Sequence, residues 1–579
     1  MKIGITFNKR IILTFVLSIL FMFLKITAIF SQRGEYTRAM EYLNSRGEVY
    51  FSFNANRADL EDLSKIISID RVENHTIYAY ANRKEFSSFL ESNFIYTILT
   101  PPSLLLDKSK LATGMVTKDW DTYPDYTEYV TMMNDFESNY PDLCKLYEIG
   151  TTTNGRKLLG VKISDHVESK EPEPEFLFTS TIHGDEVTGY ILTLRLIDYL
   201  LSNYGILPEV TRLIDSIEIW INPNANPDGT YYIDNSSVSG AIRYNANGID
   251  LNRNFRDPAQ GDHPDFNAWQ PETEAMMQFM QEHRFVFSAN YHGGAEVMNY
   301  PWDTWSRSHP DETWFKHVSH RYADTVKKYG GSDYFSNVSP DGVTNGYDWY
   351  PVAGGRQDFT TYFCHGREIT IEVSSIKMPD AASLPDYWNY NRNAMLNYIG
   401  ECLTGIHGIV TDSATEEPLK AKIVVMEHDA DSSHVYSDTI NGDFHRLIAP
   451  GTYNILCSAA GYKDKTVNNV VVEDWLKPVR LHIEMVEGAN PPELISKNTE
   501  RIFKAWFVPD NKICFTSSES QAVSVLLYTV QGILIDSQIL EAIPGQNSVL
   551  LNNNTLPNGL YFCKLVLNDG LAYTLQIHL

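Results

Sequence analysis

Residues 114–402 alternate short apolar runs with long amphipathic ones, and this alternation limits the fold more than any other feature of the chain. The runs "FLFTSTI", "IEIWINP", "FVFSANY" and "EITIEVSS" have the length and β-branched content of buried strands. Between them lie helical patterns such as "VTGYILTLRLIDYLL". Strands alternating with helices predict a mostly parallel or mixed sheet covered on both faces. Each apolar run ends near a polar residue: His183, Asn222, His292 and Glu372. Open α/β sheets bind ligands beyond the carboxyl ends of their strands. Those four positions are therefore where chemistry is expected.

The flanks differ in texture. Residues 33–110 read as a small α/β unit: strand "GEVYFSF", helix "RADLEDLSKII", strand "TIYAYAN", helix "RKEFSSFLES", strand "FIYTIL", then the stop "TPPS". From residue 404 short strands recur at regular spacing, which predicts a β-sandwich over 404–486. The segment 487–500, "EGANPPELISKNTE", reads as a linker, and 501–579 as a second β domain. The expected class is thus α/β, a mixed-sheet catalytic domain with an N-terminal α/β unit and two C-terminal β-sandwich domains. A chain of 579 residues is too long for one hydrophobic core in any case.

Lys2, Lys9 and Arg10 precede the apolar "IILTFVLSILFMFL", and polar "SQRGE" follows. This reads as a signal peptide over residues 1–31, cleaved near Ser31, so an exported protein is expected. No later run is apolar and long enough to cross a membrane. The formal net charge of −26 argues against nucleic acid as a partner. The six cysteines form no CxxC pair, so no Cys-ligated metal is expected.

Three HxxE pairs occur: His183 with Glu186, His309 with Glu312, and His365 with Glu368. Zinc hydrolases commonly use three protein ligands and keep a fourth position for water. Spacing alone leaves each pair readable as an ordinary turn. Position favours the first, which lies between a strand end and a helix start. His309 sits in polar "SRSHPDET" with no strand before it, and Glu368 begins a strand. His292, in "FSANYHGG", is the best candidate for a third ligand.

Five further segments follow in order: "NPNANPDG", "RYNANGIDLNRNF", "NYHGGAEVMNYPWD", "WYPVAGGRQDF" and "EITIEVSS". Together with "TIHGDEVTGY" they make residues 114–402 resemble the zinc metallocarboxypeptidases, closest to the branch of carboxypeptidases D, E, N and M. The resemblance implies one Zn2+ per chain, held by His183, Glu186 and His292. It implies that Asp250 orients a ligand histidine and that Asn252 and Arg253 grip the terminal carboxylate of a peptide. Arg243 would polarise the scissile carbonyl, Tyr350 would close over the substrate, and Glu372 would be the general base. Asp303 and Gln357 match the lining of a pocket for a C-terminal Lys or Arg side chain. Peptide or protein C-termini are the implied partners.

The physical reasons stand beside the resemblance. A planar guanidinium binds a carboxylate through two parallel hydrogen bonds, which suits Arg253 to a free C-terminus. In "EITIEV", Glu368, Thr370 and Glu372 share one face of the strand. Two other readings remain: an envelope carboxypeptidase trimming peptidoglycan stem peptides, and an inactive peptide-binding module. Inactive relatives usually lose a ligand or the base, and this chain keeps all of them.

Residues 404–486 resemble the transthyretin-like domain of the same branch. The segment "LPNGLYFCKLVLNDG" resembles C-terminal sorting domains of type IX secretion. That likeness implies a secretion-machinery partner and a secreted or cell-surface location in a Gram-negative bacterium. The unit at 33–110 resembles, in pattern, the prosegments of digestive carboxypeptidases.

Overall fold

The computed structural model describes residues 32–105, 111, 119–488, 505–508, 512–517, 520–529, 534–550, 560–567 and 572–578. The expected signal peptide and most of the linker lie outside the described residues. The chain divides into two units, residues 1–490 and 491–579.

The N-terminal part is a four-stranded antiparallel sheet of β1 (Glu48–Asn54), β2 (Ser68–Glu73), β3 (Thr76–Asn82) and β4 (Tyr96–Leu99), in the order β2, β3, β1, β4. Helix Arg83–Glu91 is capped by a reciprocal Asn82–Glu85 box and buries Phe86 and Phe89 against Phe51 and Phe53. Two features differ from the sequence reading. A helix over residues 32–46 packs Ala39 and Leu43 on the same core. Its apolar stripe is narrow, so periodicity alone hides it. In place of one helix through "RADLEDLSKII", the helix stops at Ser64 and the edge strand β2 follows. Asp70, Arg71 and Glu73 give β2 a polar pattern that masks it.

The central part is an eight-stranded mixed sheet. Its strands are β5 (Cys144–Thr151), β6 (Lys157–Ile163), β7 (Glu175–Ser180), β8 (Glu218–Asn222), β9 (Phe285–His292), β10 (Ala295–Tyr300), β11 (Val343–Asn345) and β12 (Arg367–Ser374). The spatial order is β11, β10, β12, β9, β7, β8, β6, β5. β8, β7, β9 and β12 run parallel. Alternation sends Phe176 and Phe178 of β7 to one face and Leu177 to the other. Helices Thr188–Asn203, Glu312–Gly330 and Leu384–Gly400 cover the first face. Helices Pro271–Glu282 and Arg356–Phe363 cover the second. The central core shares none of its buried residues with the N-terminal core; the latter takes in Tyr350, Val352 and Trp349 of the central part, and Tyr50, Tyr80 and Tyr244 form a small buried cluster across the junction. Each part therefore buries a core of its own. The parallel strands all end on one side, and the candidate site lies there.

Residues 406–485 form two further sheets around one apolar cluster. One contains β13 (Ile406–Asp412), β16 (Asp443–Arg446) and β19 (Val479–Met485); the other contains β14 (Lys422–Val425), β15 (Val435–Tyr436), β17 (Gly451–Ser458) and β18 (Lys465–Val472). Pairing continues to Glu487, which bridges Tyr462, one residue past the expected boundary. The C-terminal unit has a three-stranded and a four-stranded sheet, with Ile513, Phe515, Val525, Leu527 and Leu565 in its core. Among the described residues, no helix is long and apolar enough to cross a membrane. All six cysteines are free thiols.

Candidate metal centre and substrate cleft

Three side chains converge where β7 and β9 end. β7 stops at Ser180, and Thr181 turns the chain at φ 62°, a left-handed backbone uncommon for a β-branched residue. The following loop passes so close to its neighbour that a Cβ on Gly184 would lie 2.3 Å from the Gly229 carbonyl carbon. Glycine is required at that approach. The loop presents His183 and Glu186, and β9 presents His292 as its last residue.

His183 Nδ1 lies 3.0 Å from Glu186 Oε1, and His292 Nδ1 lies 2.9 Å from Glu186 Oε2. The two Nδ1 atoms are 3.2 Å apart. Ligand nitrogens about 2.0–2.1 Å from a tetrahedral zinc stand roughly that far from one another. All three residues are buried. Burial pulls the His292 pKa down to about 4, so the ring is a neutral donor. Burial would raise Glu186, but His183, Lys377 and His292 outweigh it and hold the carboxylate well below its usual range. Neutral imidazoles and an ionised carboxylate are the protonation states a metal needs. The triad fits one Zn2+.

The other HxxE pairs do other work. His309 is buried beside Trp302 and Phe315, and its Nδ1 accepts from the Asp311 amide at 2.9 Å. Burial drops its pKa to about 3, making it a neutral packed ring. Glu368 pairs with Arg356 Nη2 at 2.7 Å, while His365 Nδ1 faces the Ser432 carbonyl at 2.9 Å.

A polar layer supports the triad. Asp250 Oδ1 lies 3.0 Å from His183 Nε2, and Asp250 Oδ2 accepts from Arg243 Nε at 3.2 Å. Burial would raise Asp250, yet Arg243 and His183 hold it well below the ordinary range. A metal held by the Nδ1 atoms would leave the histidine protons on Nε2, and Asp250 is the oxygen partner that would fix the His183 ring. Asn290 Nδ2 stands 2.8 Å from His292 Nε2 and its Oδ1 accepts from Thr179, so this amide would take the Nε2 proton only with its oxygen and nitrogen exchanged. Sequence reading missed Asn290, although period-two alternation puts it on the same face of β9 as His292. It also missed Lys377, whose Nζ donates to Glu186 Oε1 at 2.7 Å.

Glu372 stands on β12 in register with His292. Its Oε2 is buried without a protein partner. Burial, then the nearby Glu186 charge, push its pKa well above the usual carboxylate range. Asn252, Arg253, Asn299, Asp303, Tyr350 and Thr370 line the same cavity. Asp303 Oδ1 accepts from Asn299 Nδ2 at 3.2 Å and from Gln357 Nε2 at 3.1 Å. Gln357 is fixed in turn by the Thr370 amide, 2.7 Å from its Oε1. A Cβ on Gly346 would sit 1.7 Å from Asp303 Oδ1, so only glycine leaves room for that carboxylate. Burial raises the Asp303 pKa to about 7.

The N-terminal sheet closes the cleft with its edge strand β2. Ser68 Oγ donates to Asp250 Oδ2 at 2.5 Å. Arg253 Nη2 donates to the Ile69 carbonyl at 3.2 Å. Asp70 Oδ1 takes Lys377 Nζ at 2.7 Å and Arg243 Nη1 at 3.4 Å. Tyr350 Oη reaches the Asp70 carbonyl at 3.5 Å. Arg57 donates to the carbonyls of Tyr347 and Trp349 at 2.7 and 3.1 Å, gripping the loop that carries Tyr350. A small cavity of about 30 Å³ remains, lined by Asp70 of β2 and by the triad.

Comparison with known proteins agrees with this geometry. The family profile described as Zinc carboxypeptidase matches residues 129–394. Carboxypeptidase D of Rattus norvegicus is 38% identical over 351 residues, covering 58% of this chain and 25% of its own length. Carboxypeptidase M of Mus musculus is 34% identical over 379 residues, covering 61% of this chain and 84% of its own. The catalytic chain of carboxypeptidase N of Rattus norvegicus is 34% identical over 395 residues, covering 60% and 82%. The chain thus spans about a quarter of carboxypeptidase D but most of the two shorter relatives. With that coverage and a converged His–Glu–His triad, the chain belongs to the zinc carboxypeptidase family and is related to its D, M and N branch.

Proposed function

We propose that this protein is a zinc-dependent metallocarboxypeptidase that removes C-terminal residues from peptides or proteins, Lys and Arg before others. The observation that carries the reading is the convergence of His183, Glu186 and His292 within one buried cluster, opposite Glu372. Zinc, when bound, supplies Lewis acidity toward water and the scissile carbonyl. Glu372, its Oε2 buried without a protein partner, would be held ionised by the charge of the bound metal, and in that form takes the proton of the attacking water and returns it to the leaving amine. Arg243, held by Asp250, stabilises the oxyanion that develops on the carbonyl. Arg253 and Asn252 hold the peptide's terminal carboxylate. Asp303, steadied by Asn299 and Gln357, receives the cationic side chain of the departing residue. An apolar side chain would leave that carboxylate unpaired, so the pocket discriminates both ways.

In this reading residues 33–110 are a prosegment. Supporting it, β2 contacts Arg253, Arg243 and Tyr350, the groups a substrate needs. The sheets of 406–485 are read as the transthyretin-like domain of the branch. The C-terminal unit is read as a type IX sorting domain of an exported Gram-negative protein. Incubating the chain, before and after limited proteolysis between Leu105 and Trp120, with peptides that differ only in the last residue tests the activity. The expected result is loss of a terminal Lys or Arg ahead of Phe or Glu, mainly after proteolysis. Release from muropeptides alone favours the stem-peptide reading. Binding without any release favours the inactive module.

A further inference from the structure

Beyond holding Glu186, Lys377 has no part in the roles assigned above, yet it is 2% exposed and makes three ionic contacts beside the triad. Its Nζ lies 2.7 Å from Asp70 Oδ1, 2.7 Å from Glu186 Oε1 and 3.8 Å from Asp185 Oδ1. Asp70 bridges Lys377 to Arg243, and its Oδ2 accepts from Tyr50 Oη at 3.2 Å. The two cations thus hold a carboxylate carried on an extended strand.

That carboxylate marks a boundary between two cavities. One contains Arg253, Asn252 and Asp303, on the side that receives the departing residue. The other, about 530 Å³, is walled on one side by the N-terminal part, through Tyr50, Asp70 and Leu99, and on the other by Gly294, Ile376 and Lys377 of the central part; neither Arg253 nor Asp303 lines it. Asp70 lines both. With the N-terminal part gone, the central part's wall of this second cavity is left as an open face beside Lys377, away from Arg253 and Asp303, and that face is where the rest of a peptide would run. When β2 departs, Lys377 loses Asp70 and the Tyr80 ring 5.1 Å from its Nζ, and Arg243 loses Asp70 and Ser68. Glu186, Asp185 and Asp250 remain, but they then face two cations and the charge of a bound metal.

Resting on the carboxypeptidase reading, we propose that Lys377 and Arg243 form a carboxylate-binding subsite on the amino side of the scissile bond, selecting peptides with Asp or Glu within two residues upstream of it. β2 occupies this subsite with Asp70. Lys377 acts here as a specificity residue, and Arg243 serves it in addition to its role at the carbonyl.

The test uses the full chain nicked between Leu105 and Trp120, whose parts bury separate cores. Blocked peptides ending in Lys carry Asp or Asn at the penultimate or the preceding position. A charge-assisted hydrogen bond, partly solvated, predicts about fivefold higher kcat/KM for Asp at one of these positions. Lys377→Met should bring that ratio to about one, and Lys377→Arg should restore it. Lys377→Gln, which keeps a donor without the charge, replaces the methionine variant if that one does not fold. Calorimetric binding of the same peptides to Glu372→Gln reads the preference without turnover. Binding that favours Asp with no hydrolysis by the wild type would count against the proposed activity and leave the subsite standing. Equal handling of Asp and Asn at both positions in binding overturns the subsite, as does a preference that survives Lys377→Met or Lys377→Gln.

Discussion

At the junction with the sheets of 406–485, Asp311 Oδ1 takes Arg446 Nη2 at 2.9 Å and faces His428 Nε2 at 2.8 Å, while Oδ2 takes Arg446 Nη1 at 2.9 Å and Arg367 Nη2 at 2.7 Å. At the junction with the N-terminal sheet, Asp70 is held by Lys377 and Arg243. Both are buried carboxylates gripped by two cations. They differ in what lies behind them. The further contacts of Arg446 with Asp429 and of Arg367 with the Ser433 carbonyl are structural too, and the oxygens of Asp311 are filled from both sides. Lys377 and Arg243 also touch Glu186, and Glu372 Oε2 beside them has no partner. The first cluster is complete as it stands, so its purpose is to fasten two domains. The second is complete only while β2 stays in place, and a substrate or metal would compete for the same groups.

The largest expected effect tests whether the site can lose function without losing fold. Glu372→Gln should lower kcat by about 10²–10⁴-fold. Its thermal unfolding should stay near wild type, because burial already favours the neutral form of Glu372 and glutamine keeps the shape. If turnover survives, Glu372 is not the base. If the fold collapses, the distinction between the two clusters fails.

Asp311→Ala makes the reverse experiment. It leaves two buried guanidinium groups facing no carboxylate from the central part, which costs about 3–5 kcal/mol. Denaturant unfolding should show the loss directly. A variant with wild-type stability would mean that the Asp311 cluster is not a fastening. Asp70→Ala removes the same chemistry at the other junction and should have another outcome. Losing one charge-assisted contact shifts the closed state by about 1.5–3 kcal/mol, so hydrolysis by the intact chain should rise about tenfold or more. Equal activity of Asp70→Ala and wild type, both intact, would separate β2 from any restraint on the site.

The smallest effect concerns pH. Burial raises Asp303 to about 7, so this carboxyl is neutral below that pH and charged above it. The cationic end of a Lys substrate stays protonated throughout. The ratio of kcat/KM for Lys-ended over Phe-ended peptides should therefore grow as pH rises from about 6 to 8. Taking the ratio cancels the ionisations of Glu372 and of metal-activated water, which serve both peptides. In Asp303→Ala the ratio should fall by about tenfold or more and become flat with pH. A ratio that falls with rising pH would remove Asp303 from the pocket.

Much of the catalytic side was legible because its residues sit at strand ends. β7 and β9 are apolar runs, and the triad stands where they stop; Glu372, the proposed base, lies two residues before the end of β12. The rival HxxE pairs could be demoted on that ground, although "SRSHPDET" looked like polar loop and His309 is a buried ring. What stayed hidden is set by partners distant in sequence. Asp70 lies 173 residues from Arg243, and β2 looks like the polar end of a helix until its register with β3 is known. Lys377 lies 191 residues from Glu186, in a loop whose local sequence announces nothing. Asn290 was within reach, since β9 alternates and His292 was already chosen.

The most direct test of the central claim is mass spectrometry of one peptide ending in Lys, incubated with the proteolysed chain, with and without a zinc chelator. The account predicts stepwise loss from the C-terminus only, abolished by the chelator and restored by adding about one equivalent of Zn2+ per chain. Cleavage inside the peptide, or terminal release that persists in metal-free protein, would contradict it.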